Sequence, residues 1–118
     1  MTNTQTFDWD GTGFRVAWKE RRSLRWFRRL QLLDDDLTPI NITTAGYSFT
    51  CAVFPSESST TPSKSFSIVN DEFATGYVGF EVAAGSADLA VGTYYVRATI
   101  DKGDGAEPFF HGVFEVTA

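Results

Sequence analysis

Apolar and polar residues alternate along much of the chain, in short runs bounded by turn-forming residues. The clearest run is residues 94–100, and similar runs occupy about residues 5–9, 13–19, 46–54, 66–68, 77–82 and 109–116. Successive side chains on a strand point to opposite faces, so this alternation predicts half-buried β-strands. Short strands at roughly 8 to 15 residue intervals, with turn signals between them, predict an all-β antiparallel sandwich of about seven or eight strands.

Residues 20–33 fit two patterns. On a helical wheel, Trp26, Phe27, Leu30 and Leu33 fall in one arc, opposite a cluster of arginines. Strand alternation also fits, with Leu24, Trp26, Leu30 and Leu32 on one face, but Arg28 interrupts it. Helix propensity favours the first interpretation and the all-β surroundings favour the second. The residues alone leave the choice open.

Several segments are predicted to lie outside the strands. The first five residues are polar and are expected to be unstructured or ordered by a partner. Asp34 to Asp36 and Pro39 indicate a turn, residues 55–63 form a polar loop, and residues 101–108 form a hairpin loop. Residues 85–90 are expected to form one helical turn.

Composition supports a single domain with an aromatic core. The chain has 118 residues, including 11 Phe, 4 Tyr and 3 Trp, and aromatic side chains bury large apolar areas. The single Cys51 excludes an internal disulfide. No apolar run approaches the roughly 18 residues of a membrane span, and residues 1–6 do not resemble a signal peptide, so we expect no membrane insertion and synthesis in the cytoplasm.

Charge is distributed unevenly along the chain. The net charge is −5, yet residues 1–33 carry seven basic and three acidic residues, whereas residues 34–118 carry three basic and twelve acidic residues. An acidic chain disfavours nucleic-acid binding, which needs clustered positive charge. A basic segment on an acidic body instead favours self-association or docking on a complementary partner.

No residue pattern indicates catalysis, a metal or a cofactor. His111 is the single histidine and lies within an apolar strand, and Cys51 lies mid-strand, so both are expected to be structural. Acidic residues at Asp8 to Asp10, Asp34 to Asp36 and Asp101 to Asp104 lack the spacing of a calcium loop. We therefore predict a protein that is not an enzyme.

The basic N-terminal third contains the candidate interface. Its bulky aromatic residues must pack either on the core of the domain or on a neighbouring subunit, and its arginines are available for a partner. We predict an N-terminal arm or hairpin over residues 1–21, separate from a sandwich over residues 22–118. The predicted interface residues are Phe7, Trp9, Phe14, Trp18, Arg21, Arg22, Arg25, Arg28 and Arg29.

Three segments carry a family resemblance. They are residues 30–43 (LQLLDDDLTPINIT) followed by the strand at residues 47–53, residues 89–97 (LAVGTYYVR), and residues 111–116 (HGVFEV). In this order they resemble a small immunoglobulin-like domain of tailed-bacteriophage virion proteins, as at the start of baseplate upper proteins. Leu37 and Asn41 depart from the family's turn, where a Gly and an Asp are usual.

The resemblance implies an immunoglobulin-like sandwich and favours a strand over residues 20–33. It also implies a virion structural protein of a tail, baseplate or fibre attachment, which binds other virion proteins and forms a homo-oligomer. A capsid decoration or neck protein is an alternative within that class. A carbohydrate-binding module that recognises a host glycan is the alternative of another class, since exposed Trp and Tyr side chains stack on sugars.

Overall fold

Two packed β-sheets form the fold. The computed structural model describes the backbone of residues 2–6 and all of residues 13–118. The strands of this part of the chain are β1 (Thr2–Thr6), β2 (Phe14–Arg21), β3 (Trp26–Leu33), β4 (Ser48–Phe54), β5 (Lys64–Ser65), β6 (Ser67–Val69), β7 (Tyr77–Val82), β8 (Gly92–Asp101) and β9 (Ala106–Thr117). A short helix, α1 (Ile42–Ala45), and two 3₁₀ turns, Phe73–Thr75 and Ala84–Ser86, complete the elements.

The strand order confirms the predicted immunoglobulin-like sandwich. One sheet has the order β1-β3-β7-β6 and the other the order β2-β9-β8-β4-β5. In chain order, β1-β3-β7-β6 corresponds to the A-B-E-D sheet of an immunoglobulin domain, and β9-β8-β4 corresponds to G-F-C. The pairings are antiparallel except for β1 with β3 and β2 with β9, which are parallel. The two exceptions both involve the N-terminal strands.

Strand rather than helix forms in the segment of residues 20–33, as the resemblance implied: β2 ends at Arg21 and β3 spans Trp26–Leu33. β3 alternates buried and half-buried side chains along its whole length, with Trp26, Arg28, Leu30 and Leu32 facing the core. Arg28, which interrupted the apolar alternation in the sequence, therefore does point inward. The preceding turn includes Ser23, whose φ of 71° lies in the left-handed region.

The N-terminal segment corrects two predictions. Residues 2–6 form strand β1 rather than an unstructured end, and residues 7–9 of the predicted first strand lie outside the described residues. More importantly, β2 pairs with β9 over all eight of its residues, from Phe14 with Phe110 to Arg21 with Thr117. A separate arm over residues 1–21 is therefore wrong, because β2 is a strand of the sandwich itself.

Aromatic side chains fill the space between the sheets. Trp18 of β2 packs on Phe110 of β9 with ring centroids 5.0 Å apart, and Trp26 of β3 packs on Phe114 at 5.1 Å. Trp26, Phe114 and Phe80 are fully buried, which gives the core its largest apolar areas. β2 contributes Trp18 to this core, with Phe14 and Val16 packed against it.

One glycine allows β2 to lie close to β9. A methyl group at Gly112 would lie 1.7 Å from the backbone oxygen of Val16 and 2.7 Å from its carbonyl carbon. Any side chain here would collide with backbone that cannot rotate away. Gly112 therefore permits the parallel β2–β9 pairing.

Candidate interface

Strand β2 has one face in the core and one in solvent. Phe14, Val16, Trp18 and Glu20 point towards the core, and Arg15, Ala17, Lys19 and Arg21 point outward. Trp18 is only 4% exposed within the single chain, and Phe14 packs against Phe109 and Phe110. The prediction that Phe14 and Trp18 reach a neighbouring subunit is therefore wrong, because the core of their own domain takes them up.

Arg28 is also unavailable to a partner. Its side chain lies at the margin of the core, where its Nε donates to Glu20 at 2.8 Å and its Nη2 donates to the backbone oxygen of Lys19 at 3.1 Å. The residue is 8% exposed. A buried arginine needs such partners to offset the loss of water. Arg28 thus joins the two sheets rather than serving as an interface residue.

Two further predicted interface arginines, Arg25 and Arg29, have partners on the outer face of the four-stranded sheet. Arg25 pairs with Glu81 and lies over the Phe27 ring, 4.3 Å from its centroid. Arg29 donates to Glu72 at 2.6 Å and lies over the Tyr77 ring at 4.7 Å. Arg25 keeps 55% of its side chain exposed, so it still has surface for a partner.

Arg21 and Arg22 are exposed where β2 ends. The Arg21 Nε lies 3.4 Å from the backbone oxygen of Ala118, and the Arg22 backbone N–H donates to Thr117 at 2.8 Å. Their contact with a partner stays a prediction. Phe7 and Trp9, the other predicted interface residues, lie outside the described residues.

The outer face of the five-stranded sheet brings together residues that sequence patterns did not connect. The strand registers place Ala17, Val113, Tyr95 and Phe54 in one row across four strands. Val113, in the middle, is 47% exposed. We call this surface the docking face and define it by Arg15, Ala17, Lys19, Phe54, Tyr95, Arg97, His111 and Val113.

A row of basic residues runs beside the apolar row. Arg15 of β2 is opposite His111 of β9, and His111 is opposite Arg97 of β8. On the other side of the apolar row, Lys19 pairs with Glu115, with 3.7 Å between Nζ and Oε2. An apolar centre with charged residues around it is the usual arrangement of a protein–protein interface.

Polar contacts connect the docking face to the loop over residues 55–63. The Tyr95 hydroxyl lies 2.5 Å from His111 Nδ1 and 3.4 Å from Glu57 Oε2. Burial raises the pKa of Tyr95 above its usual value, and the Glu57 carboxylate raises this pKa further. Tyr95 therefore stays a neutral hydroxyl at physiological pH. Together with Arg15 and Arg97 these residues form what we call the Tyr95–His111 cluster.

The free edge of β2 is only partly open. On this edge, the backbone oxygen of Lys19 accepts a hydrogen bond from the Arg28 side chain, and that of Arg21 accepts one from the Trp26 side chain. Side chains of β3 thus protect the C-terminal half of this edge strand, which reduces its tendency to pair with other strands. A partner is therefore more favourably placed on the docking face than along the whole β2 edge.

Cys51 and His111 do not form a catalytic pair. Cys51 points into the core from β4, whereas His111 lies on the outer face of the same sheet. Burial raises the pKa of the Cys51 thiol well above its usual value, which opposes formation of the reactive thiolate.

A groove of about 430 Å³ beside β4 is lined mainly by apolar side chains, including Phe49, Phe66 and Ile68.

Acidic residues in the predicted turns bond to their own backbone. Asp34 Oδ1 accepts from the backbone N–H groups of Asp36 and Thr38, and Asp101 Oδ1 accepts from those of Gly103 and Gly105. These contacts agree with the turn interpretation of both segments. Within the described residues no group of acidic, histidine and cysteine side chains could hold a metal ion, and no helix is long and apolar enough to cross a membrane.

Sequence reasoning missed the docking face because its residues come from four strands far apart in the chain. His111 was expected to be structural within its own strand, and nothing local in the sequence connects His111 or Tyr95 to Arg15. The alternation in the sequence does indicate which residues of a strand share its outward face, such as Tyr95, Arg97 and Thr99. The registers that place these residues beside those of other strands are set by long-range pairing.

Comparisons with known proteins identify no family. No family model matches the sequence, and no curated protein matches it. Among solved structures, a cysteine protease inhibitor, EhICP2, from Entamoeba histolytica is 14% identical over 98% of this chain and 94% of that chain, with a TM-score of 0.35. A family 123 glycoside hydrolase from Clostridium perfringens is 12% identical over 98% of this chain and 23% of that chain, with a TM-score of 0.27. Likenesses this distant carry no argument about the function of the chain.

Proposed function

We propose that this protein is a structural component of a tailed-bacteriophage virion, where it joins parts of a tail, baseplate or fibre attachment without catalysing a reaction. The immunoglobulin-like sandwich and the three sequence segments that resemble virion domains support this proposal. A capsid decoration or neck position is the alternative within the same class. The chain is made in the bacterial cytoplasm and then enters the particle.

The docking face is the observation that carries an assembly role. It presents an apolar row in which Ala17 and Val113 are exposed, Phe54 is half-buried and Tyr95 is buried, and a basic row beside it, on a protein whose net charge is −5. Such a surface fits a partner with acidic residues around an apolar patch. The partner is a neighbouring virion protein. A second copy of this chain is also acidic. Formation of a homo-oligomer through the docking face is therefore the other outcome to be measured.

The glycan-binding alternative has less support from the described residues. Trp18 and Trp26 are 4% and 0% exposed, so neither can stack on a sugar ring. Trp9 lies outside the described residues. The assembly role is therefore the function that we propose.

Reversal of one charge on the docking face tests the proposal. Lys19 is exposed and lies beside Glu115, so Lys19→Glu places two carboxylates together and repels an acidic partner. We expect incorporation into particles to fall about tenfold, which corresponds to about 1.4 kcal/mol. Particles are produced in the bacterium and purified by density. The measurement is the amount of variant chain in these particles relative to the amount of wild-type chain.

The matched control makes the same change at another surface. Lys102 is exposed in the hairpin turn between β8 and β9, outside the docking face, and Lys102→Glu is expected to leave incorporation unchanged. Circular dichroism verifies that both variants are folded. Absence of the wild-type chain from purified particles, or equal incorporation of both variants, would contradict the proposed function.

A further inference from the structure

We propose that the Tyr95–His111 cluster is the binding site for a carboxylate side chain of the docked partner, and that Glu57 of the chain itself occupies the edge of this site when the partner is absent. The inference rests on the proposed function, because it assigns the chemistry of the contact on the docking face. It gives the face a specific site in addition to its general basic charge.

The strand registers concentrate basic groups at this site. Arg15, His111 and Arg97 lie on three neighbouring strands, and adjacent strands are about 4.8 Å apart. Among the residues that the structure describes, Glu57 is the carboxylate in contact with Tyr95. The two guanidinium groups therefore exceed the local negative charge by one. An incoming carboxylate would offset that excess.

The Tyr95 hydroxyl supplies a directed hydrogen bond. Tyr95 is only 8% exposed although it lies on the outer face, because the loop over residues 55–63 covers it. In such a partly desolvated position, hydrogen bonds to a charged group are stronger than at an open surface. In the tautomer of His111 that carries its proton on Nδ1, this N–H donates to the Tyr95 oxygen, and the Tyr95 hydroxyl can then donate to a carboxylate.

The internal carboxylate is held weakly. Glu57 is exposed, and its Oε2 lies 3.4 Å from the Tyr95 hydroxyl, at the long limit of a hydrogen bond. Beneath the same loop, Arg97 donates from Nη2 to the backbone oxygen of Ser59, while its buried Nε has no partner among the described residues. A better acceptor can therefore displace Glu57 at little cost.

The single histidine allows a direct test by NMR. Its imidazole signals report on the cluster without interference, because His111 is the only histidine in the chain. The probe is a peptide of six glutamates, titrated at pH 6 into the full chain, with a peptide of six glutamines as the control. We expect a saturable shift of the His111 signals with the glutamate peptide only.

Variants separate this site from general electrostatic attraction. Arg15→Gln is expected to weaken binding about fivefold, and Glu57→Gln to tighten it about threefold because the competing carboxylate is removed. Tyr95→Phe keeps the ring but removes the hydroxyl and should weaken binding about fivefold. Lys102→Gln, in the hairpin turn between β8 and β9 and outside the docking face, is the matched control and should change nothing.

Two results would overturn the inference. One is a glutamate peptide that leaves the His111 signals unchanged in both the wild type and Glu57→Gln. The other is inorganic phosphate that shifts them with the same dependence on Arg15 and Tyr95, since the site would then bind free anions in general. If either occurs while Lys19→Glu still blocks incorporation into particles, the inference fails and the proposed function stands.

Discussion

Deletion of residues 1–19 is expected to abolish folding of the domain. The deletion removes most of β2, including Trp18, whose indole packs against Phe66, Phe80 and Phe110 in the core. Loss of a buried tryptophan side chain alone costs about 3–5 kcal/mol, against a total stability of about 5–15 kcal/mol for a typical domain. The pairing of β2 with β9 is lost as well. The amide signals in a proton–nitrogen NMR spectrum should therefore collapse into the narrow range of an unfolded chain.

The full-length Trp18→Phe variant is the control for this deletion. It keeps the β2 backbone and an aromatic ring in the core, so it should fold with reduced stability. A dispersed spectrum from the chain that begins at residue 20 would show that the remaining strands fold without β2. That result would restore an N-terminal arm as the correct description.

Gly112→Ala is expected to destabilise the domain by more than about 3 kcal/mol, since the added methyl group would lie 1.7 Å from the Val16 oxygen. The contact is with the Val16 backbone, so it cannot be relieved by a rotamer change. β2 must move away from β9, and this weakens the burial of Trp18 as well. Urea denaturation monitored by tryptophan fluorescence measures the loss.

Gly85→Ala provides the same substitution without the collision. Nothing lies within 4 Å of a methyl group at Gly85, and its φ is not in the left-handed region, so we expect a change within about 0.5 kcal/mol. Equal stability of the two variants would show that β2 does not lie against β9 as described.

Much of the fold follows from local sequence patterns. β8 was clear from the alternation of residues 94–100, and β4 and β7 from similar runs, because each buries one face and exposes the other. The helix α1 was missed because it has only four residues, although Asn41 caps it by accepting a hydrogen bond from the Thr44 N–H. A single capped turn gives no periodic signal.

The N-terminal strands show where local patterns are insufficient. The alternation of residues 13–19 predicted a strand, but the aromatic residues on it fitted either the core or a neighbour equally well. Only the parallel pairing of β2 with β9, across almost the whole length of the chain, places Trp18 in the core and Arg15 outside. Arg28 was assigned to an interface for a similar reason, because its partner Glu20 lies on a different sheet.

The same pairing connects the fold to the proposed function. Because β2 joins the five-stranded sheet, Arg15 and Lys19 lie beside the outward residues of β9 and β8. The basic segment of the sequence is thereby divided: Arg15 and Lys19 lie on the docking face, and Arg28 supports the core. The other arginines of the segment lie elsewhere on the surface, at the end of β2 and on the outer face of the other sheet.

The central claim is that the docking face contacts a neighbouring protein in the assembled particle. The most direct measurement replaces Val113, 47% exposed in the middle of the face, with a photo-crosslinking amino acid and irradiates purified particles. Leu37, 62% exposed in the turn after β3, is the matched position outside the face. We predict a crosslink from position 113 to an acidic segment of another virion protein or of a second copy, and none from position 37. Particles that incorporate both variants but crosslink only from position 37, or from neither, would contradict the claim.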